Sequence, residues 1–108
     1  MKLVIAFVQD ADSLKLRDEL ARAHFSSTKL ASTGGFLRQG NTTFLIGVEA
    51  ERLKELKDLL RDVCQERIRL TPMRSYLEGA EGVAGDLVEV VVGGAVVFVV
   101  PLEAMFRL

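Results

Sequence analysis

A glycine-rich stretch at residues 28–44, TKLASTGGFLRQGNTTF, combines residue types that can bind an anion or a nucleotide. Its adjacent glycines can adopt positive φ, so that successive backbone N–H groups face an anion. Thr28 offers a hydroxyl group, Arg38 a positive charge and Asn41 an amide suited to the edge of adenine. The stretch joins two apolar, strand-like runs, and it exceeds the roughly two to five residues that a plain turn needs. It is therefore the candidate ligand site.

The same stretch resembles a nucleotide-binding P-loop in its spacing. Residues 35–42, GFLRQGNT, place two glycines four residues apart before a threonine, but Asn41 stands where a P-loop requires lysine. A P-loop also leads from a strand into a helix, whereas this segment leads into the apolar run FLIGV. The sequence therefore argues against ATP hydrolysis by a P-loop mechanism.

Other catalytic groups are few. The only histidine, His24, follows the first predicted helix, where a cationic side chain complements the helix dipole. The only cysteine, Cys64, borders the apolar stripe of the second predicted helix, where a free thiol usually behaves as a small hydrophobic group. Asp10 and Asp12 are interpreted as helix caps or first-turn acids. We therefore expect no enzyme activity, no metal site and no cofactor.

Composition favours one cytoplasmic domain spanning residues 1–108. Fourteen basic and 15 acidic residues give a formal net charge of -1, which disfavours electrostatic binding to nucleic acid polymers or to acidic membranes. A single cysteine fits a reducing compartment. The apolar run at the N-terminus is too short for a signal peptide or a membrane span, so no membrane association is expected.

Hydrophobic patterning predicts alternating strands and helices. Residues 3–8 form an apolar run typical of a strand buried on both faces. Leu16, Leu20 and Ala23, at spacings of four and three residues, then predict a helix that ends near His24. Residues 43–48 predict a further strand, followed by an amphipathic helix that ends near Gln65. A short loop is expected at 34–40.

Residues 66–85 contain Pro72, three glycines and scattered charges, and predict a long loop. Beyond it, LVEVVVGGAVVFVVPL predicts a β-hairpin with Gly93 and Gly94 at its centre. The whole order predicts a ferredoxin-like βαββαβ sandwich, an α+β fold, with a C-terminal β-hairpin. Helices on one face would leave an apolar sheet face for homo-oligomerisation, unless the long loop and the final AMFRL cover it.

The segment TKLASTGGFLRQGNTTFLIGV, with the opening KLVIAFVQDADS and the closing VEVVVGGAVVFVVPLEAMF, resembles the PII-like cyclic-di-AMP receptor family of bacterial signal transduction proteins. The likeness spans nearly the whole chain, and TKL, TGGFLR, GNTTF and VGGA carry it most specifically. It implies a cytosolic PII-like homotrimer that binds cyclic-di-AMP in the clefts between subunits and signals to a downstream protein, which the sequence does not name.

The resemblance also implies a set of ligand-binding residues. Backbone N–H groups around the middle of the turn would bind phosphate, the Asn41 amide would bind adenine and the Thr28 hydroxyl would add a contact. The residues that match ligand-binding positions of the family are Thr28, Gly35, Phe36, Leu37, Asn41 and Gly47.

Two positions depart from the family pattern. Family members commonly carry asparagine and arginine ahead of this threonine, as in NFRATKL, whereas this chain has His24 and Ser26 in HFSSTKL. An arginine bound to phosphate contributes about 1.5–3 kcal/mol, so its absence predicts weaker or rearranged binding. We hypothesise that His24 contacts the base in place of the asparagine. The alternatives are a PII-like sensor of ATP or ADP, a nucleotide-processing enzyme and a purely structural trimer.

Overall fold

The computed structural model describes residues 1–30, 40–72 and 87–108. Its elements are β1 Lys2–Gln9, α1 Asp10–Arg22, β2 Ser26–Leu30, β3 Asn41–Val48, a 3-10 turn Ala50–Arg52, α2 Leu53–Cys64, β4 Arg67–Pro72, β5 Leu87–Val92 and β6 Ala95–Pro101. Strands β2-β3-β1-β6 form a four-stranded antiparallel sheet, and β4 and β5 form a separate two-stranded ribbon. The two helices and the antiparallel sheet confirm the expected small α+β fold, which is consistent with a ferredoxin-like architecture.

The core lies between the helices and one face of the large sheet. Alternate residues of β1 and β3 point toward the helices, because successive side chains of a strand lie on opposite faces. The fully or almost fully buried core side chains include Val4, Ala6, Val8, Leu16, Leu20, Phe44, Ile46, Val48, Leu56 and Leu60. We call the opposite side of the sheet the open face.

The open face is apolar, and the described residues leave its β6 side uncovered. Cross-strand register places Leu3 opposite Gly47 and Val100, and Ile5 opposite Leu45 and Phe98. The side chains that β6 contributes are 59% exposed at Val96, 53% at Phe98 and 37% at Val100. The apolar sheet face that the sequence pattern predicted is therefore exposed along β6.

Asp10 and Asp12 are first-turn acids of α1, as predicted, but neither caps the helix. The N-cap residue is Gln9, whose side chain makes no capping hydrogen bond. The chain passes directly from β1 into α1, so both carboxylates already belong to the helix. They bind other elements instead: Thr42 donates its hydroxyl hydrogen bond to Asp10, and Arg67 forms an ion pair with Asp12.

The predicted C-terminal β-hairpin is wrong. Gly93 and Gly94 have positive φ, at 84° and 91°, as a tight turn requires. The strands on either side nevertheless pair elsewhere: β5 pairs with β4, and β6 pairs with β1. The two glycines therefore turn the chain from the ribbon into the large sheet, because both flanking strands have longer-range partners available.

The region predicted as a loop at 66–85 begins with a strand. Residues Arg67–Pro72 form β4, whose register runs from Arg67 opposite Val92 to Pro72 opposite Leu87. Pairing with β5 stabilises this segment even though most of its side chains are exposed. The remainder of that predicted loop, and most of the short loop predicted at 34–40, lie outside the described residues.

Cys64, at the end of α2, is buried, and we predict that its thiol is unreactive in the native protein. Burial, and next the nearby Asp12 carboxylate, raises the pKa of Cys64 to about 11. At pH 8 the thiolate fraction is then roughly 100-fold below that of a thiol with the ordinary pKa of about 8.5. Reaction with a chromogenic disulfide at pH 8 should accordingly be more than tenfold slower in the native than in the guanidinium-unfolded protein. Equal rates would contradict the prediction.

Candidate ligand-binding site

Thr28 and Gly47 lie together on the open face near the β2 edge of the sheet. Thr28 is opposite Leu45, and Gly47 is opposite Ser26, in the β2–β3 register. Both residues line a groove of about 630 Å³, which we call the β2 groove. Its lining residues are Leu3, Arg17, Ala21, Phe25, Ser26, Ser27, Thr28, Leu45, Gly47, Leu102, Met105, Phe106 and Arg107. A groove of this volume is in the usual range for small-molecule sites.

Two arginines give the β2 groove positive charge. Arg17 comes from α1 and Arg107 from the C-terminal segment. Arg17 forms an ion pair with Asp18 at 3.3 Å, but both side chains are more than half exposed, so this pair is weak. The guanidinium group of Arg17 therefore stays available to an anionic ligand. Sequence reasoning did not identify either arginine.

The C-terminal segment reaches the open face beside Gly47. A Cβ atom placed on Gly47 would lie 3.5 Å from Met105 Sδ and 3.7 Å from Met1 Cε. The final residues therefore cover the Gly47 end of the face, as one of the two sequence interpretations expected of AMFRL. They leave Val96 and Phe98 exposed, so the covering is partial.

Asn41 lies at the opposite end of β3 from Gly47. Gly47 is six positions after Asn41, which corresponds to a distance of about 20 Å along a strand. Asn41 pairs with Gln9 across β1 and β3, and the preceding Gly40 has φ of 93°. The structure thus brings Thr28 and Gly47 into one groove and holds Asn41 apart from them on the same face.

Thr43 has an unsatisfied hydroxyl group near Asn41. Its side chain is buried, and its Oγ1 atom makes no hydrogen bond to any of the described residues. Register places it opposite Phe7 and Leu30 on the open face. A buried polar atom without a partner is costly, so this hydroxyl group lowers the stability of the sheet at this point.

Comparison with known proteins identifies the chain's relatives. The model of the cyclic-di-AMP receptor family matches residues 1–108, the whole chain. This chain belongs to the cyclic-di-AMP receptor family. A crystal structure of a functionally unknown protein from Pediococcus pentosaceus ATCC 25745 is similar, with 39% sequence identity and a TM-score of 0.78. The match covers 99% of this chain and 96% of that one.

Three of the ligand-binding residues that the family resemblance implied, Gly35, Phe36 and Leu37, lie outside the described residues. The other three, Thr28, Asn41 and Gly47, are on the open face, as described above. Their roles as ligand contacts in this family member remain predictions.

His24 lies two residues after α1, which ends at Arg22, and has a positive φ of 63°. The His24 N–H donates to the Ala21 carbonyl and the Phe25 N–H to the Leu20 carbonyl, the pattern of a Schellman C-cap. Arg52 donates to the carbonyls of Ala23 and His24. Its guanidinium also lies 4.0 Å from the centre of the Phe25 ring. His24 is thus a helix-end residue, as its position in the sequence predicted.

The described residues contain neither a cluster of metal-ligating side chains nor a helix long and apolar enough to span a membrane.

Proposed function

We propose that this protein is a cytosolic signalling receptor that binds cyclic-di-AMP in the clefts between subunits of a homotrimer. The observation that carries the proposal is the family match over the whole chain, with Thr28 and Gly47 together in an accessible groove. Family membership supports the ligand, and the groove supplies an accessible surface with the matching residues. The receptor role requires no turnover of the ligand.

The β2 groove suits a cyclic dinucleotide by its chemistry. Arg17 and Arg107 supply positive charge for phosphate groups, and the exposed ring of Phe106 offers a stacking surface for a base. These arginines offset the missing arginine at Ser26, which lines the same groove. The backbone around Gly35 would complete the phosphate contacts, and Asn41 would bind adenine from the other end of the strand.

The apolar open face supports the homotrimer. Half-exposed Phe98 and its neighbours on β6 form an apolar surface of the kind that marks association sites. A second copy of this chain is the occupant we propose, because a neighbouring subunit would both cover this face and complete the clefts that the family uses for its ligand.

The ribbon also supports association. Ile68, Leu70, Leu87 and Val91 are each more than half exposed, and register places all four on one side of β4 and β5. An isolated two-stranded ribbon is marginally stable in water, so we propose that it packs against another protein surface. We propose that bound ligand alters the conformation of this ribbon and of residues 31–39, and that a protein partner recognises the change.

Titration calorimetry on the purified oligomer tests the proposal. We expect about one cyclic-di-AMP per subunit with micromolar or tighter affinity, and no competition by ATP or cyclic-di-GMP. Tighter binding of ATP would instead favour the adenine-nucleotide sensor, and loss of intact ligand over time would favour an enzyme. No heat and no thermal shift from an intact trimer would contradict the receptor proposal.

A matched pair of arginine variants locates the site. Arg17→Gln should weaken cyclic-di-AMP binding about tenfold, because it removes a charged hydrogen-bond donor from the groove. Arg22→Gln is the control: Arg22 lies on the same helix and pairs with Glu19 at 2.9 Å, but it does not line the groove. Equal effects of the two substitutions on affinity would place the ligand elsewhere.

A further inference from the structure

The residues Gln9–Asp12, which we call the β1–α1 junction, bind two separate parts of the chain. One part is Gly40–Thr42, at the start of β3, which follows the proposed phosphate-binding residues in the chain. The other is the base of the β4–β5 ribbon. We infer that the β1–α1 junction is a positioning element that couples these two parts, so that a change at one alters the other. The ligand half of this inference rests on the proposed function.

The junction holds the start of β3 through three contacts. The Asp10 N–H donates a hydrogen bond of 2.8 Å to the Gly40 carbonyl. Thr42 donates its hydroxyl hydrogen bond to the Asp10 carboxylate, and Gln9 pairs with Asn41 in the β1–β3 register. The backbone position of Asn41, a predicted ligand contact, is therefore set by its bonds to the junction.

The junction also holds both strands of the ribbon at its base. Arg67 on β4 contacts both carboxylate oxygens of Asp12, at 2.6 Å and 3.5 Å. The Gly93 N–H, directly after β5, donates a 2.7 Å hydrogen bond to Gln9 Oε1. Arg67 also donates to the Gln65 carbonyl, and the Gly94 N–H to the Cys64 carbonyl, which fix the ribbon to the end of α2.

Because Asp12 is buried, breaking its ion pair with Arg67 would be costly. Its side chain is only 5% exposed, and a buried carboxylate needs a paired and hydrogen-bonded partner. The hydrogen bond to Asp12 also raises the pKa of Arg67, whose guanidinium group is charged at ordinary pH in any case. A tilt of the ribbon therefore either carries Asp12 with it or leaves a buried charge unpaired.

The contacts to β3 and the contacts to the ribbon are coupled because the junction residues that make them are close together in the chain. Asp10 and Asp12 belong to the first turn of a 13-residue helix, and Gln9 is the last residue of β1. A helical turn moves as a unit, so displacement of Asp12 by the ribbon displaces Asp10 and with it Gly40 and Thr42. Because linkage is reciprocal, a ligand that repositions Asn41 would shift the ribbon by the same coupling free energy.

Hydrogen exchange on the ligand-free protein tests the junction itself. Arg67→Met should speed exchange of the Asp10 amide, which bonds to Gly40, by about fivefold or more. In the reverse direction, Thr42→Val should speed exchange of the Gly93 amide. Arg52→Met is the control, since Arg52 also makes an ion pair and two backbone contacts but at the far end of α1. It should leave both amides unchanged.

Cyclic-di-AMP titration then tests whether the junction affects the affinity for the ligand. Arg67→Met should lower the affinity about fivefold or more, and Arg67→Lys, which restores the charge, should recover part of that loss. Arg52→Met should bind as the unaltered protein does. Should Arg67→Met fail to fold, Arg67→Lys is compared with the unaltered protein instead. Lysine cannot contact both carboxylate oxygens of Asp12 as Arg67 does, so this variant should still bind cyclic-di-AMP measurably more weakly.

The outcomes separate this inference from the proposed function. Native exchange at Asp10 and Gly93 in the folded variants would overturn the coupling, whatever the ligand result. Altered exchange with native affinity in Arg67→Met would overturn its extension to the ligand. Altered exchange in a protein that does not bind cyclic-di-AMP at all would support the junction and contradict the proposed ligand.

Discussion

Replacing Phe98 with glutamate is expected to break the proposed homotrimer into folded monomers and to weaken the proposed binding of cyclic-di-AMP about 100-fold or more. Phe98 is half exposed on the open face, where its ring meets the Phe7 ring edge to face at a centroid distance of 6.0 Å. In the proposed trimer this position becomes buried, so each subunit would bring an unpaired carboxylate into an apolar interface. Sedimentation and calorimetry measure the two effects.

Leu14→Glu provides the control for Phe98→Glu. Leu14 is 58% exposed on α1, so this substitution also replaces an exposed apolar side chain with a carboxylate, but outside the open face. We expect it to leave assembly and affinity intact. A Phe98→Glu protein that remains trimeric would contradict the proposed interface, and circular dichroism would show whether a monomer has kept its fold.

Gly93→Ala is expected to destabilise the fold by about 3 kcal/mol or more. A Cβ atom at this position would lie 2.5 Å from the Gln65 carbonyl oxygen and 2.5 Å from an Arg67 guanidinium nitrogen. The first of these is backbone and cannot move without displacing the end of α2. The positive φ of Gly93 adds about 1–2 kcal/mol for any residue with a Cβ. Denaturant unfolding measures the loss.

The neighbouring Gly94→Ala isolates the steric part of that loss. Gly94 has a similar φ of 91°, but an added Cβ would have only Glu66 Oε2 at 4.0 Å. The Gly94 variant should therefore lose only about 1–2 kcal/mol. Equal losses of unfolding free energy in the two variants would show that the close approach at Gly93 relaxes without cost.

Local patterns predicted most of the large sheet and both helices, because their apolar residues repeat with the period of the element that buries them. The leucine stripe of α2 is an example, and Leu56 and Leu60 are buried as expected. The apolar run of β1 was expected to be buried on both faces, but only alternate residues, which face the helices, are buried. Strand β4 was missed although RIRLTP alternates apolar and polar residues. Its side chains are mostly exposed, and Pro72 together with the adjoining glycines and charges favoured a loop.

The strands with which β5 and β6 each pair could not be predicted from the residues of β5 and β6 alone. Two valine-rich runs around adjacent glycines fit a hairpin locally, and only the competing partners β4 and β1 decide otherwise. The site shows the same limit. Thr28 and Gly47 were identified from the family resemblance, whereas Arg17 and Arg107 come from distant parts of the chain. The long-range partners of Asp10 and Asp12 were equally invisible, because helix capping explained both residues locally.

The attachment of the ribbon at its base has a consequence for how this family can diverge. All described hydrogen bonds between the ribbon and the rest of the chain involve Arg67 or the adjacent glycines at 93 and 94. Insertions or deletions between β4 and β5 therefore need not disturb the core, because the entropic cost of closing a longer connection grows only slowly with its length. The number of residues between these two strands can accordingly vary among family members while the large sheet stays the same.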